Sequence, residues 1–425
     1  MNILLVGAGG REHTLAWKLK QSSHCGNLFI APGNAGTSTD CINLDIAVTD
    51  FESLAAACKT HDIEMVIVGP EEPLVRGITD YLKAGENTKH IHIIGPAKEA
   101  AQLEGSKAYA KAFMKRHNVP TAHYREFTWE NYEDGIVYIK NHATPIVLKA
   151  DGLAGGKGVL ICNSQMEALA EFELMIVRSK FGDAGKKVVI EEFLQGIEMS
   201  VFALTDGKDY VLMPEAKDYK RIGEGDKGLN TGGMGAVSPL PFFDEELRKK
   251  IIKTIIEPTI NGLYRESMDY KGFVFFGLMI NEGEPFVIEY NCRLGDPETE
   301  VVIPRLKNDL LDLFLATSQQ RINEINIETD DRSAVAVVAV SGGYPGDYEK
   351  GKIILGLDTD LPGSIIFHAG TKKEGDEVVS NGGRVLVVTS FGDNIREAAE
   401  QSNYLVEQLY FDGINSRTDI GYEFI

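Results

Sequence analysis

The stretch Lys149-Ala150-Asp151-Gly152-Leu153-Ala154-Gly155-Gly156-Lys157-Gly158-Val159 packs four glycines into seven residues, with Lys149 and Lys157 on either side of the first three. Glycine N–H groups can turn inward around an anion, and the lysines supply fixed positive charge where a polyphosphate would lie. Apolar, β-branched runs at 145–148 and 159–162 flank it, so the local order is strand, glycine loop, strand. A Walker loop needs G-x-x-x-x-G-K-[ST] and a following helix. Here Gly152 to Lys157 is one residue short, Gly158 replaces the hydroxyl, and a strand follows. The stretch predicts a phosphate clamp of another kind, with any Mg²⁺ ligands elsewhere. A plain glycine-rich hairpin tip is the alternative, and the lysines argue against it.

A second chemical cluster lies at 273–300. Apolar runs at 273–280 and 286–291 flank Asn281-Glu282-Gly283-Glu284 and read as a β-hairpin. Strict alternation puts Phe286, Ile288 and Tyr290 on one face and Val287, Glu289 and Asn291 on the other. Glu289 and Asn291 are then about 6.5 to 7 Å apart along the strand, both offering hard oxygen to Mg²⁺. Next comes Cys292-Arg293-Leu294-Gly295-Asp296-Pro297-Glu298-Thr299-Glu300, an arginine crowded by acids in a turn. Arg293 would pair with a carboxylate substrate, or else neutralise Asp296 or Glu298.

The amino-terminal hundred residues alternate short apolar runs, at 3–6, 28–31, 42–46, 65–68 and 91–94, with helical stretches. Such alternation predicts βαβ units and a mostly parallel sheet. Gly7-Ala8-Gly9-Gly10-Arg11-Glu12-His13 follows the first strand and opens a helix expected at 14–20. The dinucleotide fingerprint wants glycine where Glu12 stands, so a nicotinamide site is disfavoured and a single phosphate on the loop, beside Arg11, fits better. Gly33, Asn34, Gly36 and Thr37 form a second loop at the same sheet edge, and Pro70, Glu71 and Glu72 a third. The two carboxylates would hold an amine or sugar hydroxyls, or simply be solvated. His13 reads as a satisfied helix histidine rather than a catalyst.

Ser106 predicts a helix cap, with the helix running to about Arg116 and burying Ala108, Ala112 and Phe113; Lys107 at its start is a surface lysine or a phosphate ligand. The strand at 188–190 leads into Glu191, Glu192, Leu194 and Glu198, a linker whose backbone would meet an adenine edge while a carboxylate meets ribose hydroxyls. Asp218-Tyr219-Lys220-Arg221 and the run 230–235 read as a polar stretch too glycine-rich for helix or strand. Beyond about 331 the chain is β-rich, with a last helix at 394–408 and no chemistry of its own; it reads as a closing domain.

The chain of 425 residues is long enough for about three domains. With 63 acidic against 43 basic residues the net charge is −20, which excludes nucleic acid and anionic membrane as main partners. Five scattered cysteines, never in a C-x-x-C pair, indicate neither disulfides nor zinc, and no signal-peptide core or membrane-spanning run is present. A cytoplasmic protein is expected.

Taken in order, Gly9-Gly10-Arg11-Glu12-His13, the runs 31–37, 68–71 and 103–107, the Lys149 clamp, the run 230–235, Glu289-Tyr290-Asn291-Cys292-Arg293 and the run 295–299 resemble the glycinamide ribonucleotide synthetase family of the ATP-grasp superfamily, essentially end to end. The resemblance implies an α/β fold: an amino-terminal parallel domain over 1–103, an ATP-grasp core over 104–330 with a lid at about 122–190, and a β-rich carboxyl-terminal domain over 331–425. It implies ATP-dependent ligation of glycine to 5-phosphoribosylamine through glycyl phosphate, in de novo purine synthesis, by a monomer or weak dimer. Arg293, Lys149 and Asp218 would then be catalytic. Lys107, Lys149, Gly155, Gly156, Lys157, Glu191, Glu192, Leu194 and Glu198 would hold ATP, and Glu289 and Asn291 would hold Mg²⁺ or Mn²⁺. Gly9, Gly10, Arg11, Glu12, Gly33, Asn34, Gly36, Thr37, Pro70, Glu71, Arg293, Asp296 and Glu298 would meet the other substrates. Tyr219 stands where the family commonly has histidine, Gly155 where alanine is usual, and Leu229 where proline is frequent. A nicotinamide oxidoreductase would leave the lysine clamp idle, and a nucleotide sensor could dispense with Glu289 and Asn291. Another ATP-grasp ligase is the nearest rival, because function lives in the acceptor site.

Overall fold

The computed structural model describes residues 1–153 and 158–425. Gly155, Gly156 and Lys157 of the expected clamp lie outside the described residues.

Strands Ile42–Asn43, Leu28–Pro32, Ile3–Gly7, Met65–Val68 and His92–Ile94 lie side by side in that order, all parallel, as the βαβ alternation predicts. Ile3–Gly7 is buried along its whole length, the signature of a central strand covered on both faces. The first helix spans Gly10–Leu19, starting before the expected Thr14. Its early start has a local cause: the Glu12 carboxylate reaches back to accept the Gly9 N–H at 2.7 Å, closing the first turn. Glu71–Arg76 is a short helix rather than a loop, ended by Gly77 at φ 93.

A second sheet, entirely antiparallel, orders Tyr124–Thr128, Lys187–Glu192, Ile146–Ala150 and Val159–Cys162. Helices Tyr132–Lys140 and Gln165–Ile176 contribute to an apolar core of its own, with Phe127, Leu148, Phe172 and Ile190, separate from the main core. A third sheet orders Tyr210–Leu212, Ile197–Thr205, Gly272–Asn281 and Glu284–Asn291; its last two strands are the expected hairpin. Amino-terminal and central parts join through backbone bonds from Gly95 N–H to Lys271 O, 2.7 Å, and Ala97 N–H to Asp269 O, 2.9 Å.

The carboxyl-terminal sheet orders Lys217–Asp218, Gly235–Ser238, Ser333–Val340, Arg384–Gly392 and Ser364–His368, so two of its five strands come from the stretch expected to be irregular. That stretch also folds a hairpin of Arg221–Gly223 on Lys227–Asn230. Its glycines do not break the hairpin: Gly225 takes φ of 62 in the turn and Gly228 φ of 84 within the second strand. The last helix, Ile395–Glu407, falls where expected and is capped by Asn394.

Candidate active site

Strict alternation fails at one residue of the hairpin. Gly277 pairs with Glu289 and Leu278 with Val287, leaving Ile288 as the extra residue of a β-bulge. Val287, expected beside Glu289, is fully buried instead, and its carbonyl accepts from Thr121 Oγ at 2.6 Å. Glu289 and Asn291 lie beyond the bulge, two residues apart and half-buried, while Tyr290 packs into the core against Phe276. The bulge turns the Ile288 carbonyl toward Lys149 Nζ, which donates to it at 3.1 Å. A methyl group at Gly277 would stand 3.2 Å from Glu289 Cγ, so glycine opposite the carboxylate leaves it room.

Lys149 is buried between that carbonyl and Glu191, whose Oε2 lies 2.9 Å from Nζ; the other oxygen of Glu191 is 3.1 Å from Lys111 Nζ. Burial lowers the Lys111 ammonium to about 8, against the pull of Glu191. The Glu191 carboxylate is thus engaged with two lysines, and Glu192 Oε1 accepts His123 N–H at 2.9 Å. The Glu191 side chain is therefore not free for a ligand, whereas the backbone of the linker is. Ser106 caps helix Lys107–Arg116 as predicted, and Asp151 reinforces the cap, accepting Ala108 N–H at 2.8 Å and the Ser106 hydroxyl at 3.0 Å. Ala108 and Phe113 are buried, Ala112 only partly. Lys107 Nζ donates to Gly152 O at 3.3 Å, and burial lowers its pKa while Glu289 opposes.

Arg293 neutralises neither Asp296 nor Glu298. Its Nη2 lies 2.7 Å from Glu104 Oε1 and its Nε 3.5 Å from Glu71 Oε2, bringing two of the expected site residues together with an acid the sequence reading passed over. Glu104 also accepts Cys292 N–H at 2.8 Å. Burial would lower the Arg293 guanidinium, but Glu104 and Glu71 outweigh it and raise its pKa. Asp296 pairs at 3.0 Å with Arg384, from the part of the chain that was expected to bring no chemistry.

Asp218, Glu198 and Lys220 form a second ionic group, with Lys220 Nζ 2.7 Å from Glu198 and 3.1 Å from Asp218. Glu298 joins it, accepting from Ser200 Oγ at 3.1 Å. Burial, then Asp218, push Glu298 up to about 7, with Lys220 opposing. Tyr219 points the other way: it is buried, its Oη donates to Glu423 at 2.7 Å, and Lys217 Nζ sits 4.0 Å over its ring. Position 219 therefore binds the carboxyl-terminal segment to the strand that carries Asp218.

The amino-terminal loops converge at the sheet edge, and several of the donors expected to meet a phosphate are engaged within the protein. Glu12 holds Gly9 N–H and lies against Gly7 and Gly69, filling the loop where a dinucleotide pyrophosphate would go. Arg11 is buried, its Nε 2.5 Å from Glu12 and its Nη1 3.2 Å from Leu294 O. Glu300, fully buried, lies against Gly10. The Asn34 carboxamide accepts Gly36 N–H at 2.9 Å and Thr37 N–H at 3.1 Å, and donates to Ala8 O and His368 O. Gly33 N–H goes to Gly7 O at 3.1 Å. His13 is a packing histidine, accepting His368 N–H on Nδ1 at 2.8 Å. Pro70 precedes the helix that carries Glu71.

Three models of phosphoribosylglycinamide synthetase match consecutive parts of the chain: the N domain over 1–104, the ATP-grasp (A) domain over 105–299 and the C domain over 334–423. The chain belongs to the phosphoribosylglycinamide synthetase family. A phosphoribosylamine–glycine ligase of Yersinia pestis is 45% identical over 430 residues, covering 100% of this chain and 99% of that protein. The crystal structure of phosphoribosylamine–glycine ligase from Thermotoga maritima superposes with a TM-score of 0.85 at 35% identity, covering 99% of this chain and 100% of the other. The biotin carboxylase domain of a Hydrogenobacter thermophilus 2-oxoglutarate carboxylase, solved with MgADP, has a TM-score of 0.74 at 15% identity, covering 97% of this chain and 91% of the other, a likeness of fold alone. As a phosphoribosylglycinamide synthetase, the chain is an ATP-dependent ligase whose reaction yields glycinamide ribonucleotide in purine biosynthesis. No helix among the described residues is long and apolar enough to cross a membrane.

Glu104, Lys111 and Arg384 are the residues the sequence reading missed. Each is made significant by a partner more than fifty positions away, and only the string at 103–107 gave Glu104 any local signal.

Proposed function

We propose that the ligation proceeds through glycyl phosphate in the cleft between the antiparallel lid sheet and the Glu284–Asn291 strand. The observation that carries this reading is the gathering of Lys107, Lys149, Lys220 and Arg293 around Glu289 and Asn291. In the first step a glycine carboxylate oxygen attacks the γ-phosphorus of ATP, forming a P–O bond as ADP leaves. In the second the amine of 5-phosphoribosylamine attacks the carbonyl carbon, phosphate leaves, and one proton is released. Neutralising and aligning charge is most of what phosphoryl transfer asks of a protein.

The donors present fit Mg²⁺ or Mn²⁺. Glu289 and Asn291 offer hard oxygens from neighbouring positions, and no set of three or more His, Cys, Asp or Glu among the described residues forms a closed metal cage. Such a pair leaves room for phosphate oxygens and water. A bound Mg²⁺ would neutralise the β- and γ-phosphates. Lys107 and Lys149 would meet the same phosphates, and Gly155, Gly156 and Lys157 are assigned to the same ligand. The backbone at 191–194 would take the adenine edge, and Glu198 with Asp218 the ribose side.

Arg293, fixed by Glu104 and Glu71, would orient the glycine carboxylate. The acceptor would lie in the seam formed by the loops at 9–12, 33–37 and 70–71 with Asp296 and Glu298. Closure of the lid would keep water from glycyl phosphate. We place the reaction in the cytoplasm, on the absence of a disulfide pattern. Counting ADP released with glycine alone, with phosphoribosylamine alone, and with both tests the order of steps: glycine-dependent turnover that ignores the amine would contradict coupled ligation, and full dependence on both supports it.

A further inference from the structure

The amide donors of Gly9, Arg11, Gly33, Gly36 and Thr37 are met from within the protein, which leaves the acceptor seam few amides for a phosphate and makes a side-chain ligand the place to look. Arg384 enters the same seam from the carboxyl-terminal sheet, as the first residue of strand Arg384–Gly392. All its protein contacts fall on one nitrogen: Nη1 reaches Gly232 O at 2.8 Å, Asp296 O at 2.7 Å and Asp296 Oδ1 at 3.0 Å. Among the described residues Nε and Nη2 have no acceptor, and the side chain stays 22% exposed. Gly232 lies over the face of the guanidinium. A Cβ there would stand 3.1 Å from Cζ and 3.3 Å from both Nε and Nη2, tight enough to displace the group, so the missing side chain lets the guanidinium keep this position. The Tyr344 hydroxyl holds the loop in place, accepting Gly232 N–H at 2.8 Å.

An arginine anchored through one nitrogen, with its Nε–Nη2 fork free, is shaped for two parallel hydrogen bonds to a phosphate. The surrounding charges allow it. Asp296 is already the partner of Nη1, Arg11 is paired with Glu12, and burial, then Asp296, push the Glu300 carboxyl well up from its ordinary range, with Arg384 opposing. We propose that Arg384, through Nε and Nη2, holds the 5-phosphate of the acceptor, so that the carboxyl-terminal sheet reads the phosphate end while Arg293, three residues before Asp296, serves the reacting end. The inference rests on the acceptor lying in this seam.

The stable product, glycinamide ribonucleotide, and its dephosphorylated riboside separate the two questions. Titration calorimetry with ADP present should show the wild type binding the ribonucleotide far more tightly than the riboside. In Arg384→Gln the ribonucleotide should weaken roughly ten- to a hundredfold and approach the riboside, whose binding barely changes, with partial recovery in Arg384→Lys. If Arg384→Gln does not fold, Gly232→Ala, whose methyl group presses on the face of the guanidinium and turns its Nε–Nη2 fork out of place, should narrow the same ratio. Equal weakening of both compounds, or an unchanged ratio, would overturn the phosphate role and leave the acceptor seam standing. A wild type that binds neither compound would overturn the seam itself, and the role of Arg384 with it.

Discussion

Arg293 and Glu104 meet at 2.7 Å across the boundary between the amino-terminal part of the chain and the central hairpin, with the same carboxylate accepting the N–H of Cys292. Both partners are largely buried, at 19% and 6% side-chain exposure, so neither is replaced by water at no cost. Glu104→Gln keeps an acceptor for one bond but loses the charge that fixes the guanidinium. It should reduce kcat/KM for glycine roughly ten- to a hundredfold while leaving KM for ATP nearly unchanged. Steady-state kinetics varying each substrate in turn, beside a thermal melt, checks this; a loss spread evenly over all three substrates would mean that Glu104 serves only the fold.

Glu289 faces Gly277 across the hairpin, with no side chain to crowd it. Glu289→Gln should preserve circular dichroism and lose most activity, with the Mg²⁺ concentration for half-maximal rate raised at least several-fold, because a neutral amide is a weaker ligand for a hard cation. An unchanged Mg²⁺ dependence would remove Glu289 from the metal site.

Tyr219 tests the opposite expectation. Its hydroxyl holds Glu423, on the far side of the strand from the pair of Asp218 and Lys220. Tyr219→Phe should cost about 1 kcal/mol of stability, the net worth of one hydrogen bond, and change kcat by less than about twofold. A large drop in kcat with normal stability would place this position in the chemistry after all.

How much was legible in the sequence follows from how far each signal travels along the chain. The parallel sheet, the hairpin and the Ser106 cap were readable because periodicity and capping are local, and Glu289 and Asn291 could be paired for the same reason. The bulge at Ile288 was not readable, since it depends on how Gly272–Asn281 registers against the neighbouring strand. The strands at Lys217–Asp218 and Gly235–Ser238 were hidden for a related reason: Gly235–Ser238 is seated on Ser333–Val340, about a hundred residues on, Lys217–Asp218 then adds to its other edge, and glycine-rich sequence alone looks like loop. Arg11 and Asn34 carried the right residue types for an anion site, yet Glu12 and neighbouring amides claim them first.

The contact between the amino-terminal helix and the carboxyl-terminal sheet yields a pH prediction. His13 accepts the His368 N–H on Nδ1 and packs edge-on against Phe367, and burial, with His368 as a second cause, lowers its pKa to about 3; burial lowers His368 to about 4. Because the folded state keeps both rings neutral while the unfolded chain protonates them near the ordinary 6.5, their contribution is fully present above pH 6.5. It is lost as pH falls toward 4, where the unfolded state binds more protons. Over two pH units a histidine held neutral in this way withdraws about 2 kcal/mol of stability. His13→Asn keeps an acceptor for His368 N–H without a titrating ring. The variant should be less stable at pH 8 through lost packing, yet should lose less stability than the wild type between pH 6 and pH 4. Urea midpoints across that range decide it. Parallel curves for the two proteins would show that His13 is protonated as readily in the folded state as in the unfolded, and that acid sensitivity arises from the carboxylates alone.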